Sequence, residues 1–415
     1  DIQPNIVPPK TIIIRMKNKK LFIFFAGIMF LINLVKAQQL PASLRFNKYT
    51  VENGLCDNNV SWLQKDKKGF LWISTHNGIS RFDGAEFTNF RHKPQGNNSL
   101  LNNFTGALTE DSAGRIWIST YEGLSMYNPN TGRFRNFIIP EKEFVKSEVL
   151  CVLTAKDGSV WFSTWNKINT IDLKTFHITS YLTDSALPDK NNVSIGLFFE
   201  DHAGNFWFNS RHGVCVFNRL THKVVIIDKN SGLSAFYDNG KNKIFFSGWN
   251  SSLKEYDLSS KKIKEYFFHN PKFLPQDSVR ATTNMAHTSF APANNLLWVC
   301  TEKELCVFDM VQNKFIRYYQ YDPETSNTFP AIWPGLIFFD KSNNIWLGSK
   351  DGLYVASLNQ LSLSTIYLPN ESVGEISHVR EDAENKNIFW VSVNGGGFFK
   401  AERSTGKVLM HIPFR

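Results

Sequence analysis

An all-β fold, a seven-bladed propeller of four-stranded antiparallel blades followed by the start of a second propeller, is predicted by three observations. The stretch "DKKGFLWISTHNGISRFDG" at 66–84 recurs as "DSAGRIWISTYEGLSMYN" from Asp111, "DHAGNFWFNSRHGVCVFN" from Asp201 and "DKSNNIWLGSKDGLYVAS" from Asp340, each time with an Asp six residues before a Trp. Weaker copies centre on Trp161, Phe245, Trp298 and Trp390, so eight anchors stand 38 to 53 residues apart. That spacing is the period of a propeller blade. Thirdly, the central runs "FLWIS", "RIWIS", "NFWFN" and "NIWLG" are apolar on both faces, so each needs cover on both sides. Stacked blades supply it.

Each copy reads as four strands, A to D. In the first, A covers Val60 to Gln64, B covers Phe70 to Thr75, C covers Ile79 to Phe82 and D covers Phe87 to Phe90, with turns at 66–69 and 77–78. Gly or Asn at the turns permits the positive φ that tight hairpins need. Asn343 stands for the first glycine of the seventh copy. Trp72, Trp117, Trp161, Trp207, Trp298, Trp346 and Trp390 are expected to pack between blades. Strand D has a loose pattern of apolar, two residues, aromatic, and "FNKY" at Phe46 shows it before any blade has begun. Such an orphan strand would complete the last blade by joining the two ends of the ring.

Seven copies, from Trp72 to Trp346, would then close one ring over residues 38–360. The eighth follows the connection "NQLSLSTIYLPNES" and is assigned, at 361–415, to the first, truncated blade of a second propeller. A single eight-bladed ring is the alternative.

Of the 415 residues, 42% are hydrophobic and 14% aromatic, ample for a packed core. The net charge of +9 is concentrated at the N-terminus: outside residues 1–37 there are 40 basic and 36 acidic residues, net +4. This argues against a nucleic-acid partner. From Met16, "MKNKKLFIFFAGIMFLINLVKAQQ" has a basic start, an apolar stretch and a small-residue cleavage pattern ending at Ala37, the marks of an export signal cleaved after Ala37. Residues 1–15 precede that start. Cys56, Cys151, Cys215, Cys300 and Cys306 are odd in number and contain no C-x-x-C, which favours buried small hydrophobes over a disulfide framework or metal site, with one pair left open.

The strings "VENGLCDNNVSWLQKDKKGFLWISTHNGISRFDG" and "TEDSAGRIWISTYEGLSMYNPNTGRFRNF" resemble the two-component regulator propeller repeat of exported sensor regions in Bacteroidetes hybrid two-component systems. The resemblance runs from about residue 44 to 415 and is poor around Phe245. It implies the periplasmic, N-terminal part of a longer inner-membrane protein, in which two propellers and a β-sandwich precede a membrane helix, a histidine kinase, a receiver and a DNA-binding output domain. None of those downstream motifs occurs in this sequence. It also implies sensing of glycan-derived oligosaccharides, control of polysaccharide-utilisation genes and a paired, homodimeric sensor. No cofactor or metal is expected, the membrane would be reached only through the downstream helix, and the segment itself would not be an enzyme.

Candidate ligand contacts are the B–C tips, which vary on a monotonous frame: His76, Tyr121, Trp165, Arg211, His212, Trp249 and Lys350. Variable tips on a fixed scaffold are where specificity resides. Tyr121 and Trp165 can stack on a sugar ring, and Arg211 or Lys350 can meet a carboxylate or sulfate. The alternatives are solvated tips without a role, a propeller lyase or hydrolase, and a protein-interaction scaffold. Against the enzyme, the ten histidines form no H-E-x-x-H and no G-x-S-x-G occurs.

Overall fold

The computed structural model describes residues 40, 41, 43–139, 148–182, 195–196, 198–229, 231, 236–248, 252–267, 287–291, 295–300, 304–320, 329, 336–358, 374–385, 387–402 and 408–414. The expected leader, the connection after Leu358 and Trp249 lie outside the described residues.

Within each blade consecutive strands pair, giving antiparallel four-stranded blades at 60–90, 105–137, 151–182, 198–228, 236–267 and 287–320. Blade 7, at 336–357, supplies only three strands of its own. Its fourth is the N-terminal strand Asn47–Tyr49, paired Asn47↔Val355 through Tyr49↔Leu353. The "FNKY" segment therefore closes the ring at seven. Across the same joint the Val60 N–H donates to the Ser349 carbonyl at 2.9 Å. Leu336, Trp346 and Leu353 of blade 7 share a core with Val60, Leu71 and Ile73 of blade 1.

Blade 1 differs from its sequence reading by single residues. Strand A runs on to Lys65, B begins at Leu71 and C begins at Gly78. In blades 1 and 2 strand B is buried along its whole length, as a strand covered on both faces must be. Successive cores hold Trp72 with Ile116 and Tyr127 between blades 1 and 2, and Trp207 with Ile244 and Tyr256 between blades 4 and 5.

The Asp six residues before the Trp has two tasks. In blade 2, Asp111 Oδ1 accepts from the backbone N–H groups of Ala113 and Arg115 and so shapes the A–B turn. Its Oδ2 accepts from Trp117 Nε1 at 2.9 Å. Asp66, Asp201 and Asp340 hold the indoles of Trp72, Trp207 and Trp346 at 2.8, 2.9 and 3.1 Å. A buried indole N–H needs such an acceptor. The turn also needs a left-handed residue, and Asn343 fills that position at φ 60°.

The second recurrent glycine opens strand C and approaches the end of strand D. At Gly213, with φ 102°, an added Cβ would lie 1.9 Å from the Asp228 carbonyl oxygen. Gly213→Ala is expected to cost about 2 kcal/mol of stability from the strained φ alone, read as a lowered urea midpoint.

Neighbouring blades are also clasped at the A–B turns. The backbone N–H of Lys67 donates to Glu110 Oε2 at 2.8 Å, that of Lys156 to Glu200 Oε2 at 2.7 Å and that of His202 to Asp238 Oδ2 at 2.5 Å. In each clasp the carboxylate comes from the residue just before the turn of the next blade.

The eighth sheet, Ile376–Glu381, Ile388–Val393, Gly397–Glu402 and Val408–Ile412, stands outside the ring. Its small core of Val391, Val393 and Phe399 is its own, and its strand A is exposed throughout. Trp390 is accordingly only half-buried, unlike the anchors of the ring. The reason is geometric: among the described residues no neighbouring blade covers it. All five cysteines are buried free thiols. Burial pushes the Cys215 thiol up to about 11, against a smaller opposing pull from Ser210.

Candidate functional site at the mouth of the ring

Up-and-down strands put the described B–C tips and D–A loops at one end of the ring. Backbone bonds tie the two together: the His76 N–H donates to the Asn59 carbonyl and the Tyr121 N–H to the Phe104 carbonyl, both at 3.1 Å. The tips are held from beneath by a hydroxyl. Thr75 Oγ1 donates to the Gly78 carbonyl at 2.7 Å and accepts from the Asn77 N–H at 3.2 Å. Thr120, Ser210 and Ser349 make the equivalent bonds to Gly123, Gly213 and Gly352. Side chains of variable type thus stand on tips of fixed shape.

Three of these side chains form a strip across blades 1 and 2. The His76 ring lies 4.3 Å from Phe104, and Phe104 lies 6.1 Å from Tyr121 in an edge-on arrangement. Phe104 is 43% exposed, so the strip presents ring surface to solvent. Asn59 Nδ2 is 2.8 Å from His76 Nδ1. Desolvation, aided by the positive charge of Lys350 from blade 7, holds His76 below the usual imidazole range against the opposing pull of Asp57. The imidazole has an amide, not a carboxylate, as its hydrogen-bond partner.

On blade 3, Trp165 Nε1 donates to Glu148 Oε2 at 3.2 Å, so this indole has a fixed orientation. Arg211 is exposed at the blade 4 tip, beside a half-buried His212 whose Nε2 has no protein partner among the described residues. The structure thus links His76 and Tyr121 through Phe104 and anchors Trp165 on Glu148, while Lys350 and Arg211 are exposed at their own tips. Phe104, Asn59 and Glu148 come from the D–A loops and were not expected from the B–C tips. Among the described residues no group of three or more His, Cys, Asp or Glu could hold a metal ion, and no helix is long and apolar enough to cross a membrane.

The two-component regulator propeller family matches residues 54–77 and 99–122. Histidine kinase P4 of Formosa agariphila is 29% identical over 75 residues, 18% of this chain and 6% of that protein. Among solved structures, the protein designated as the extracellular domain of the hybrid two component system BT3049 of B. thetaiotaomicron aligns with a TM-score of 0.68 and 21% identity over 89% of this chain and 49% of that one. The BT4673 extracellular domain from the same organism gives 0.60 and 18%, over 89% and 47%. A streptogramin B lyase gives 0.60 and 15%, over 78% of this chain and all of the lyase. The chain spans about half the length of the two extracellular domains. At these identities the structural likeness speaks to the fold alone.

Proposed function

From a chain that carries two-component regulator propeller repeats on a seven-bladed ring, we propose that this is the exported ligand-sensing region of a two-component signalling protein. The observation that carries the reading is the strip of His76, Phe104 and Tyr121 at the mouth. It is an exposed aromatic surface on rigid tips, with Lys350 on the neighbouring blade.

A pyranose presents apolar C–H faces that stack on such rings and hydroxyls that bond to amides and carboxylates. Asn59 and Glu148 supply those groups, while Lys350 and Arg211 suit an acidic substituent on the same oligosaccharide. Recognition of this kind needs no chemical step. The ligand would shift a pre-existing equilibrium between arrangements of two sensor copies, by no more than its differential affinity for them. The eighth sheet, with both outer strands exposed, is proposed as the first blade of a second propeller that would carry the signal toward the membrane.

Calorimetry against acidic and neutral oligosaccharides, with product analysis of the same samples, tests the reading. Intact sugar is expected after binding, and Phe104→Ala with Tyr121→Ala is expected to weaken binding about tenfold or more, or about 1.4 kcal/mol, at an unchanged unfolding midpoint. Cleavage of the sugar would transfer the site to an enzyme of the lyase or hydrolase kind. Unchanged affinity in the folded double variant would remove the strip from the site.

A further inference from the structure

The far end of the ring carries a second feature. A cleft of about 410 Å³ opens at the joint between blades 7 and 1, among the A–B and C–D turns. Ligand pockets commonly occupy this size range.

Its cause is local. Where the clasp between other blades uses Glu110, Glu200 or Asp238, the equivalent position of blade 1 is Lys65. A lysine cannot accept the backbone N–H of the preceding blade, and Lys65 instead points its Nζ to within 3.7 Å of Asp340 Oδ2. The closing strand is also short: it pairs only as far as Asn47 with Val355, while its neighbour continues to Ser357. The cleft lies at this joint, lined by Lys65 and by the ends of the closing strand and of its neighbour.

We infer that this cleft is a binding site for a neutral, hydroxyl-rich ring compound of one or two sugar units. Its floor is aromatic: Tyr49 lies 5.4 Å from Phe82, and Phe82 lies 6.0 Å from Trp346. Its rim is polar and mixed in sign, with Lys65 facing Asp340 and Asp83 beside Asn47. Asp340 is committed to Asn344, to the Ser342 backbone and to the Trp346 indole, and Asp83 Oδ1 to the Ala85 and Glu86 N–H groups, which leaves Lys65, Asn47 and the second carboxylate oxygen of Asp83 for a ligand. Hydroxyl groups can accept from the ammonium and donate to the carboxylate with the same chemistry. An anion would meet two carboxylates for one ammonium and is disfavoured.

The site touches blade 1, blade 7 and the closing strand at once. Occupancy therefore fastens the three residue pairs that complete the ring, and a ligand bound to the closed form stabilises it by mass action. The inference is independent of ligand recognition at the mouth.

The test uses the chain with D-glucose, D-galactose, maltose and cellobiose, and D-glucuronate as the anionic counterpart. At least one neutral sugar is expected to bind at millimolar concentration and to slow amide exchange at 47–49 and 353–355. Lys65→Glu, which restores the clasp carboxylate, and Lys65→Met, which removes only the ammonium, are each expected to weaken that binding about tenfold. Phe104→Ala is expected to leave it unchanged. Absence of binding by all four neutral sugars overturns the inference. Binding lost in Phe104→Ala but kept in the Lys65 variants also overturns it and assigns the sugar to the mouth, and tighter binding of glucuronate than of glucose in the cleft overturns the neutral ligand class.

Discussion

Asp111→Ala is expected to cost about 3–5 kcal/mol of stability, the range found when one partner of a buried ion pair is removed. Asp111 is fully buried, and its carboxylate serves four donors. Oδ1 holds the backbone N–H groups of Ala113 and Arg115 at 2.9 and 3.0 Å, and Oδ2 holds Arg115 Nε and the Trp117 indole at 2.6 and 2.9 Å. Alanine strands all four. The guanidinium is the costliest, because Arg115 is itself mostly buried and stands over the Trp117 ring. Asp111→Asn should recover only part, since the amide keeps an acceptor for the turn but turns a donor toward the indole or the arginine. Urea unfolding reads both variants, with a lowered midpoint at unchanged slope. A cost below about 1 kcal/mol for alanine, the worth of a single ordinary hydrogen bond, would show that the carboxylate does not organise the blade. A double-mutant cycle with Trp117→Phe isolates the indole bond, because phenylalanine has no N–H to strand.

The same bond explains how far the fold could be read from the letters. Four blades repeat the Asp and the Trp at fixed spacing, and these carried the period. Blades 3 and 5 solve the problem differently, while in blade 6 the buried Trp298 Nε1 has no hydrogen-bond partner among the described residues. In blade 3 the Asp position is Ala155, and Trp161 donates to Ser159 Oγ at 2.8 Å. In blade 5 Phe245 needs no acceptor, and Asn239 Oδ1 serves only the backbone N–H groups of the turn. Loss of the motif there is compensated change, which a search for identical letters cannot see. Ring closure was legible because strand D has a pattern, and the pattern appeared once too early at Phe46. The seam cleft was not, since it depends on where the short closing strand and the turns of blades 7 and 1 meet in space.

Variation at the B–C tips singled out His76, Tyr121 and Lys350 as candidates, and the ring sets their blades side by side. Phe104 escaped because it ends a D–A loop, where length and composition vary too much for copies to be aligned by eye. Its signal lay one residue before strand A, at the position that Asn59 occupies in blade 1; both residues pair with their own blade's tip. Convergence of loops from different blades is a property of the ring, and a linear reading meets His76 28 positions before Phe104 and 45 before Tyr121.

Trp207→Ala is expected to cost about 3–5 kcal/mol, and the equivalent Trp390→Ala on the eighth sheet no more than about 1 kcal/mol. Trp207 is 1% exposed and lies between blades, 5.5 Å from Tyr256 and 6.4 Å from Phe236 of the next sheet. Its removal leaves a void walled by two stacked sheets that cannot collapse without shifting the ring. Trp390 has the same chemistry and an acceptor of its own, Asp382 Oδ2 at 2.9 Å, but it is only half-buried and no second sheet packs over it among the described residues. The comparison therefore varies the neighbour while holding the residue constant. Equal large losses would mean that the eighth sheet is packed as firmly as a ring blade. A small loss at Trp207 would mean that burial between blades contributes less than the hydrogen bond and turn geometry within each blade, so that the propeller would be held chiefly by its turns.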